Sequence, residues 1–199
     1  MSPYTTKICE LGVLMRIWLH SDWHLWHQNI YKFTYKDELG VERRVREKFV
    51  DAAEGDAYIE QRWRDLIRPE DHLYHLGDCT MFRGKHMAHE FIAKMRSLPG
   101  HKRLILGNHD AYDIKVYIEA GFQKIKASNV INGILLTHYP AHPSSLNSRV
   151  KYNCHGHTHA QPDLSPLHLN VCVERTNYEP ILLEEAKALL EKKQQEGAQ

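Results

Sequence analysis

Five short polar motifs follow apolar segments along this chain, and together they hold the residue types that bind a pair of metal ions. The motifs are Asp22-Trp23-His24, Gly77-Asp78, Gly107-Asn108-His109-Asp110, Thr137-His138-Tyr139 and Gly156-His157-Thr158-His159. A metal pair activates water, and the cleavage of an ester also needs a group that protonates the leaving oxygen. The set therefore predicts a hydrolytic two-metal site with one further histidine for proton transfer.

The first two motifs offer oxygen and nitrogen ligands at the ends of predicted strands. Asp22 and His24 are two residues apart, so both side chains leave an extended segment on the same side. Asp78 follows Gly77, and its two carboxylate oxygens could bridge two cations. Taken singly, each motif is more typical of an aspartate that stabilises a turn, and only the complete set favours a metal site.

The third motif combines a further ligand with a candidate acid. Asn108 offers an amide oxygen, and the next side chain, His109, must point elsewhere, toward the position of a substrate. With Asp110 beside it, His109 is predicted to be an oriented imidazole with a raised pKa, suited to act as a general acid. His109 and Asp110 are therefore the predicted catalytic residues.

The last two motifs contribute the remaining imidazoles. His138 ends the apolar run 134–137, and a single histidine in such a place is usually a core residue. His157 and His159 are two residues apart and face the same way, so each can bind a different metal ion. The two histidines of the last motif therefore favour metal binding over a set of unrelated turns.

Hydrophobic periodicity predicts the elements that position these motifs. Strands are predicted at 16–20, 72–76, 102–106, 122–126, 130–137, 151–155 and 168–174. Helices are predicted at about 54–67, 85–97, 112–120 and 183–193. This order predicts an α/β sandwich with two sheets packed face to face and helices outside. Because every motif follows a strand, all five can converge on one rim.

Composition narrows the class of protein. The 199 residues, 42% of them hydrophobic, favour one domain with one substantial core. The charge is balanced, with 26 basic and 25 acidic residues, so no overall field favours nucleic acid or an anionic membrane. The 15 histidines are scattered along the chain, which favours a metal enzyme over an affinity tag.

The ends and the cysteines of the chain give expectations about its location. The four cysteines show no C-x-x-C spacing, and free thiols fit a reducing cytoplasm better than a disulfide framework. No segment is predicted to span a membrane, and the start is too short and too acidic for a signal peptide. Met15 resembles a natural start, so residues 1–14 are predicted to be a dispensable extension of a single domain at 15–199.

The order of the motifs resembles the calcineurin-like metallophosphoesterase superfamily, whose pattern runs D-x-H, G-D, G-N-H-D/E, H and G-H-x-H. The resemblance covers residues from about 16 to 185 and is strongest to small, single-domain phage and bacterial members. It extends to the segments 21–30, 74–78 and 169–180. It implies a metallophosphoesterase-like four-layer α-β-β-α sandwich of two packed mixed sheets.

The resemblance also implies a division of roles. Asp22, His24 and His159 would bind the first metal ion, and Asn108, His138 and His157 would bind the second. Asp78 would bridge the two ions, and His109 takes the position of the catalytic histidine. The implied cofactor is a pair of divalent ions, with Mn²⁺ as first choice and Fe, Zn²⁺ or Ni²⁺ as alternatives.

The expected reaction is hydrolysis of a phosphoester by a hydroxide that the two metal ions share, with His109 as general acid. A phosphodiester of a small or nucleotide-type substrate is preferred, and a phosphomonoester is the alternative. A nuclease is less favoured because the sequence shows neither a basic groove nor a capping domain. A non-catalytic scaffold is less favoured still, since all ligand positions are present.

Three side chains are predicted to contact the substrate. His27 lies three residues beyond His24, Arg43 belongs to the mixed-charge run 42–48, and Arg149 lies in the loop after His138. The competing interpretation for each is a solvated surface residue. The sequence implies a phosphoester partner and no membrane partner, and it does not determine the oligomeric state.

Overall fold

Eleven strands and four α-helices make up the computed structural model, which describes residues 15–37, 39–82 and 84–197. The strands are β1 (Ile17–His20), β2 (Thr34–Lys36), β3 (Glu42–Arg44), β4 (His72–His75), β5 (His101–Ile105), β6 (Lys124–Lys126), β7 (Ser128–Ile131), β8 (Ile134–Thr137), β9 (Tyr152–His155), β10 (His168–Asn170) and β11 (Ile181–Leu182). The helices are α1 (Ala52–Leu66), α2 (Lys85–Ser97), α3 (Ile114–Glu119) and α4 (Leu183–Glu196). The predicted extension at 1–14 lies outside the described residues.

Two mixed sheets form the centre of the fold. The first has the strand order β11-β1-β4-β5-β6, in which only β11 is antiparallel to its neighbour. The second has the order β10-β9-β8-β7, in which only β7 is antiparallel. The parallel strands of each sheet therefore end at a common edge, where the motif residues follow.

Apolar side chains on the two faces of the first sheet form two cores. One face packs against the helices through Trp63 of α1, Phe91 of α2 and Tyr117 of α3, all of which are fully buried. The other face joins the second sheet, where Leu19 of β1 and Leu136 of β8 belong to one cluster. Helix α4 contributes to that second cluster and contacts β1, β10 and β11. The predicted α/β class with two packed mixed sheets is confirmed.

The strand predicted at 130–137 is wrong in one respect. Asn132 and Gly133, both with positive φ, form a two-residue turn that divides it into the antiparallel strands β7 and β8. An Asn-Gly pair is a strong hairpin signal because both central positions of such a turn need positive φ. The prediction also missed the hairpin β2–β3, which is short and mostly charged.

The structure also bears on the predictions for the cysteines and for membrane spans. Cys79, Cys154 and Cys172 are buried free thiols, as predicted for these three positions. Among the described residues, no helix combines the length and the apolar character that a membrane span requires.

Candidate metal centre

The carboxyl ends of five parallel strands meet at one place. Strands β1, β4 and β5 of the first sheet lead into the three motifs that begin at residues 22, 77 and 107. Strands β8 and β9 of the second sheet lead into His138 and Gly156. The two sheets are joined next to the site, where the Val173 backbone N–H donates to the Ser21 carbonyl over 3.1 Å. The fold therefore brings all seven predicted metal ligands together.

One group of ligand atoms comprises Asp22, His24 and His159. Asp22 Oδ1 lies 3.7 Å from His24 Nε2 and 4.0 Å from His159 Nε2. The other oxygen of Asp22 is fully engaged, because it accepts hydrogen bonds from the Ser21 hydroxyl and the His157 backbone N–H. Oδ1 has no hydrogen-bond partner, so one buried oxygen of Asp22 stays available to a cation.

The second group contains His138, His157 and Asn108. Asn108 Oδ1 lies 2.8 Å from His138 Nε2 and 3.0 Å from His157 Nδ1. His138 Nδ1 lies 2.8 Å from the Leu76 carbonyl oxygen, which can only accept, so Nδ1 is the protonated nitrogen in that contact. That hydrogen bond leaves the lone pair of His138 Nε2 directed at the site, as a metal ligand requires.

Asp78 lies between the two groups. Its Oδ2 is 3.5 Å from His24 Nε2 and 3.4 Å from His138 Nε2. Its Oδ1 accepts a hydrogen bond from the His109 backbone N–H over 2.8 Å, which fixes the orientation of the carboxylate. One oxygen of Asp78 therefore faces both groups.

The donor set fits a pair of divalent cations. Both ring nitrogens of His24 are buried and have no hydrogen-bond partner, although two carboxylates lie within 4 Å of Nε2. Atoms that bind the same ion at about 2.0–2.2 Å are separated by roughly 3–4 Å, as these are. Carboxylate, amide and imidazole donors suit divalent transition metals of borderline softness. The family pattern and this geometry together support divalent metal ions at the site.

The backbone at the site is strained in a consistent way. Five of the seven candidate ligands are non-glycine residues in the left-handed region: Asp22 (φ 57°), His24 (φ 52°), Asp78 (φ 56°), His157 (φ 69°) and His159 (φ 49°). Such conformations cost of order 1–3 kcal/mol each and persist where the surrounding structure enforces them. These five residues follow strands β1, β4 and β9, where the chain turns toward the site.

Two glycines allow the motifs to approach each other. A Cβ atom at Gly107 would overlap the Asp78 carboxylate, and a Cβ atom at Gly156 would overlap the Ser21 and Asp22 side chains. Neither position has room for another residue without a displacement of a candidate ligand. The glycines of the third and fifth motifs thus serve close packing between motifs.

Carboxylates and imidazoles at the site shift each other's pKa. Burial would raise the pKa of Asp22, but the surrounding imidazoles outweigh it and hold that pKa well below its ordinary value. Burial would lower the pKa of His138, but Asp78 and Asp22 outweigh it and raise that pKa to about 9. For His24 burial dominates and lowers the pKa. The pKa of Asp78 is lowered as well, so both carboxylates are ionised and attract cations.

His109 lies beside the ligands without joining either group. Its ring centroid is 5.4 Å from that of His24, in an edge-to-face arrangement, and its side chain is partly exposed. Its backbone N–H holds Asp78, so its position is tied to the candidate bridging ligand. The imidazole therefore adjoins the ligand groups and is partly open to solvent.

The predicted role of Asp110 is corrected by the structure. Its carboxylate accepts backbone hydrogen bonds from Asp78 (2.8 Å), Gly107 (2.9 Å) and Cys79 (3.0 Å). Adjacency in sequence suggested contact with the His109 ring, but the turn directs Asp110 inward to the backbone of two motifs. Asp110 therefore holds the loops of the second and third motifs together and does not orient the imidazole.

The Asp110→Ala variant is expected to lose roughly 3 kcal/mol or more of unfolding free energy, because three largely buried N–H donors lose their acceptor. Urea denaturation of the variant and of wild-type protein measures this loss. Asp113→Ala is the matched control, since Asp113 accepts one backbone N–H at the start of α3 and should cost about 1 kcal/mol. A loss for Asp110→Ala no larger than that of the control would contradict this role.

Of the three predicted substrate contacts, the structure places one at the site. His27 is half-buried, and its ring centroid lies 5.7 Å from that of His24. Arg43 lies on the exposed hairpin and pairs with Asp37 over 2.7 Å. Arg149 lies near Gly133, at the opposite end of β8 from His138. The structure therefore does not bring Arg149 to the candidate ligands, because its backbone lies against Gly133, just before β8.

Two further residues near the site were missed. Arg46 was placed in the exposed charged run 42–48, yet its side chain is fully buried. Its Nε donates to Glu174 Oε1 over 2.8 Å, and Nη2 donates to the Asp22 carbonyl over 2.7 Å. Burial would raise the pKa of Glu174, but Arg46 and His159 outweigh it and lower the pKa to about 2. No local sequence pattern distinguishes either residue.

Sequence comparison places these motifs among known proteins. The sequence model of the calcineurin-like phosphoesterase family matches residues 15–135. An uncharacterized protein of Methanocaldococcus jannaschii is 30% identical over 188 residues, which cover 90% of this chain and 93% of that protein. The gene 66 protein of Mycobacterium phage L5 is 30% identical over 93 residues, which cover 47% of this chain and 39% of the phage protein.

A solved structure has the same fold. The crystal structure of a protein of unknown function from Aquifex aeolicus superposes with a TM-score of 0.63 at 25% sequence identity. The match covers 88% of this chain and 99% of that chain. The likeness therefore covers a larger share of this chain than the segment 15–135 that the family model matches.

Proposed function

This chain belongs to the calcineurin-like phosphoesterase family, and we propose that it is a two-metal phosphodiesterase acting on small or nucleotide-type substrates. Family and site together support metal-dependent hydrolysis of a phosphoester. The proposal adds three things to this: a preference for diesters, a choice of metal and a role for each site residue.

One observation carries the two-metal assignment. Asp78 Oδ2 lies within 3.5 Å of an imidazole nitrogen from each ligand group, and both groups contain buried donors aimed at a shared centre. Asp22, His24 and His159 would hold one ion, and Asn108, His138 and His157 would hold the other. When bound, the two ions would supply an activated water molecule and neutralise charge on the phosphate.

His109 supplies the proton in this mechanism. Water adds to phosphorus and releases one proton to solvent, the P–O bond of the ester breaks, and the departing oxygen takes a proton from the His109 ring. The partly exposed imidazole lies next to His24 and is free of the ligand groups, as a proton donor to a bound ester must be. His27, on the same side, is the proposed substrate contact.

The charges around the site favour a diester over a monoester. Arg46 is buried against Glu174, and Arg43 is paired with Asp37. Both guanidinium groups are already paired with carboxylates. In this proposal the metal ions and the imidazoles of the site balance the negative charge of the substrate phosphate. A diester carries a single negative charge near neutral pH, whereas a monoester carries up to two. The lower charge is the better match to this site.

Exposed aromatic side chains beside the site favour a substrate that carries a base. Tyr139 is 52% exposed, and its ring centroid lies 4.4 Å from that of His157. Phe33, also 52% exposed, lies 5.8 Å from His27. Stacking of a base on an aromatic ring contributes about 1–3 kcal/mol. A nucleotide-type diester could use either ring.

Mn²⁺ is the proposed native metal, ahead of Fe, Zn²⁺ and Ni²⁺. The seven proposed ligands are oxygen and imidazole donors, without a thiolate that would favour Zn²⁺. Cys172, the thiol nearest to Asp22, donates a hydrogen bond to Asp22 Oδ2 over 3.2 Å. Burial raises the pKa of Cys172 well above its ordinary value, so the thiol stays protonated.

The proposal is tested with bis(p-nitrophenyl) phosphate and p-nitrophenyl phosphate as paired chromogenic substrates. Hydrolysis of each is measured with Mn²⁺, with Zn²⁺ and with excess chelator. The proposal expects faster turnover of the diester, highest with Mn²⁺ and lost with chelator. Faster turnover of the monoester in every metal would replace the diester assignment with the phosphomonoesterase alternative.

A further inference from the structure

A buried ion pair lies behind one half of the candidate metal centre. Arg46 is 0% exposed, and the side chain of Glu174 is 2% exposed. The two residues are 128 positions apart in sequence, so only the tertiary fold brings them together. Such a pair needs a compensating role, because the removal of two charges from water is expensive.

Each member of the pair contacts a different candidate ligand of the first ion. Glu174 Oε1 lies 3.3 Å from His159 Nδ1, on the side of the ring away from Asp22. Arg46 Nη2 donates to the backbone carbonyl of Asp22 over 2.7 Å. A third contact, from Nη1 to the Tyr31 hydroxyl over 3.2 Å, fixes the guanidinium.

The contact between Glu174 and His159 settles which ring nitrogen faces the site. A carboxylate accepts and cannot donate, so the proton of a neutral His159 ring stays on Nδ1. Nε2 then presents its lone pair toward Asp22 Oδ1, 4.0 Å away. This is the arrangement by which a carboxylate orients a metal-binding histidine in many proteins.

The ligands of the second ion are supported differently. His138 is oriented by the Leu76 carbonyl, and Asn108 contacts His138 and His157 directly. Among the candidate ligands, the contacts of Arg46 and Glu174 described above reach Asp22 and His159. The pair therefore acts on one half of the centre.

We propose that Arg46 and Glu174 are positioning residues that set the affinity of the first metal site and leave the second site largely unaffected. This inference rests on the two-metal centre proposed above. Glu174 selects the metal-binding tautomer of His159, and Arg46 links that carboxylate to the strained Asp22 backbone. Without the Glu174 carboxylate, the His159 ring can rotate, and its proton can move to Nε2, the nitrogen that would bind the metal ion.

The test measures Mn²⁺ binding by calorimetry and by electron paramagnetic resonance, independent of hydrolysis. In Glu174→Gln, one of two Mn²⁺ ions should bind about 10–100-fold more weakly, and the other should keep its affinity. Near two equivalents of Mn²⁺, the spectrum should change from that of a coupled pair to that of an isolated ion. Asp71→Asn is the control, because Asp71 is a buried carboxylate just before β4 that pairs with the partly exposed Arg16.

A second variant separates positioning from stability. Arg46→Met combined with Glu174→Gln leaves no unpaired buried charge, and it should show the same selective loss of one ion. The inference would be overturned if Asp71→Asn weakened Mn²⁺ binding as much as Glu174→Gln does. It would also be overturned if both Glu174 variants still bound two Mn²⁺ ions tightly. Either result would leave the proposed function standing. Wild-type protein that binds no Mn²⁺ would overturn both.

Discussion

Replacement of Asp78 by asparagine is expected to weaken the binding of both metal ions and to lower the rate of hydrolysis by more than about 10³-fold. Asp78 Oδ2 faces His24 on one side and His138 on the other, at 3.5 and 3.4 Å. A neutral amide removes the negative charge that the two ions would share. Metal content by elemental analysis and the rate on bis(p-nitrophenyl) phosphate measure the two effects.

Asp71→Asn is also the control for this variant. Asp71 is a buried aspartate just before β4, and Asp78 follows the other end of the same strand. Its substitution should lower stability and leave metal content and rate unchanged. If Asp78→Asn kept two bound ions, the assignment of Asp78 as the shared ligand would fail. Glu174→Gln should weaken the binding of one ion only, whereas Asp78→Asn should weaken the binding of both. This difference distinguishes a ligand shared by the two ions from a residue that positions the ligands of one ion.

The second large effect is expected at His109. Alanine at this position should keep both ions and lose about 10²–10⁴-fold in rate on an ester with a poor leaving group. The loss should shrink with p-nitrophenolate, which departs without help from an acid. The rates on an alkyl and on a p-nitrophenyl phosphodiester, measured on metal-loaded protein, give this comparison.

His101→Ala provides the matched histidine substitution. His101 begins β5 and His109 follows its far end, so the two histidines lie at opposite ends of one strand. The control should leave both rates unchanged. An equal loss on both esters for His109→Ala would point to a role in substrate binding. Metal loss would make His109 a ligand and contradict its assignment as the acid.

Much of the site follows from local sequence because strand ends dictate where side chains meet. The seven proposed ligands all come directly after strands, and parallel strands of two packed sheets end at one edge. In D-x-H, Asp22 and His24 lie in the same ligand group, and in H-x-H, His157 and His159 lie in different groups. The positive φ angles at five ligands were not predicted, because Asp and His adopt a left-handed backbone more often than most residues but still only in a minority of positions.

Contacts between distant or inward-turned residues escaped prediction. Asp110 was assigned to its neighbour His109, but its carboxylate accepts from backbone groups 31 and 32 positions away. Arg46 sits in a run of mixed charges, and burial of one arginine in such a run has no local signature. The Asn132–Gly133 turn could have been predicted from its Asn-Gly pair. It was missed because apolar residues continue on both sides of it.

The central claim is that bound metal drives phosphoester hydrolysis at this centre, and one titration tests it most directly. Protein freed of metal by a chelator is titrated with Mn²⁺ while bound metal and hydrolysis of bis(p-nitrophenyl) phosphate are recorded together. We predict no hydrolysis without metal and a rate that rises until two ions are bound per chain. Hydrolysis that persists without metal, or two bound ions without hydrolysis of this diester or of its monoester counterpart, would contradict the claim.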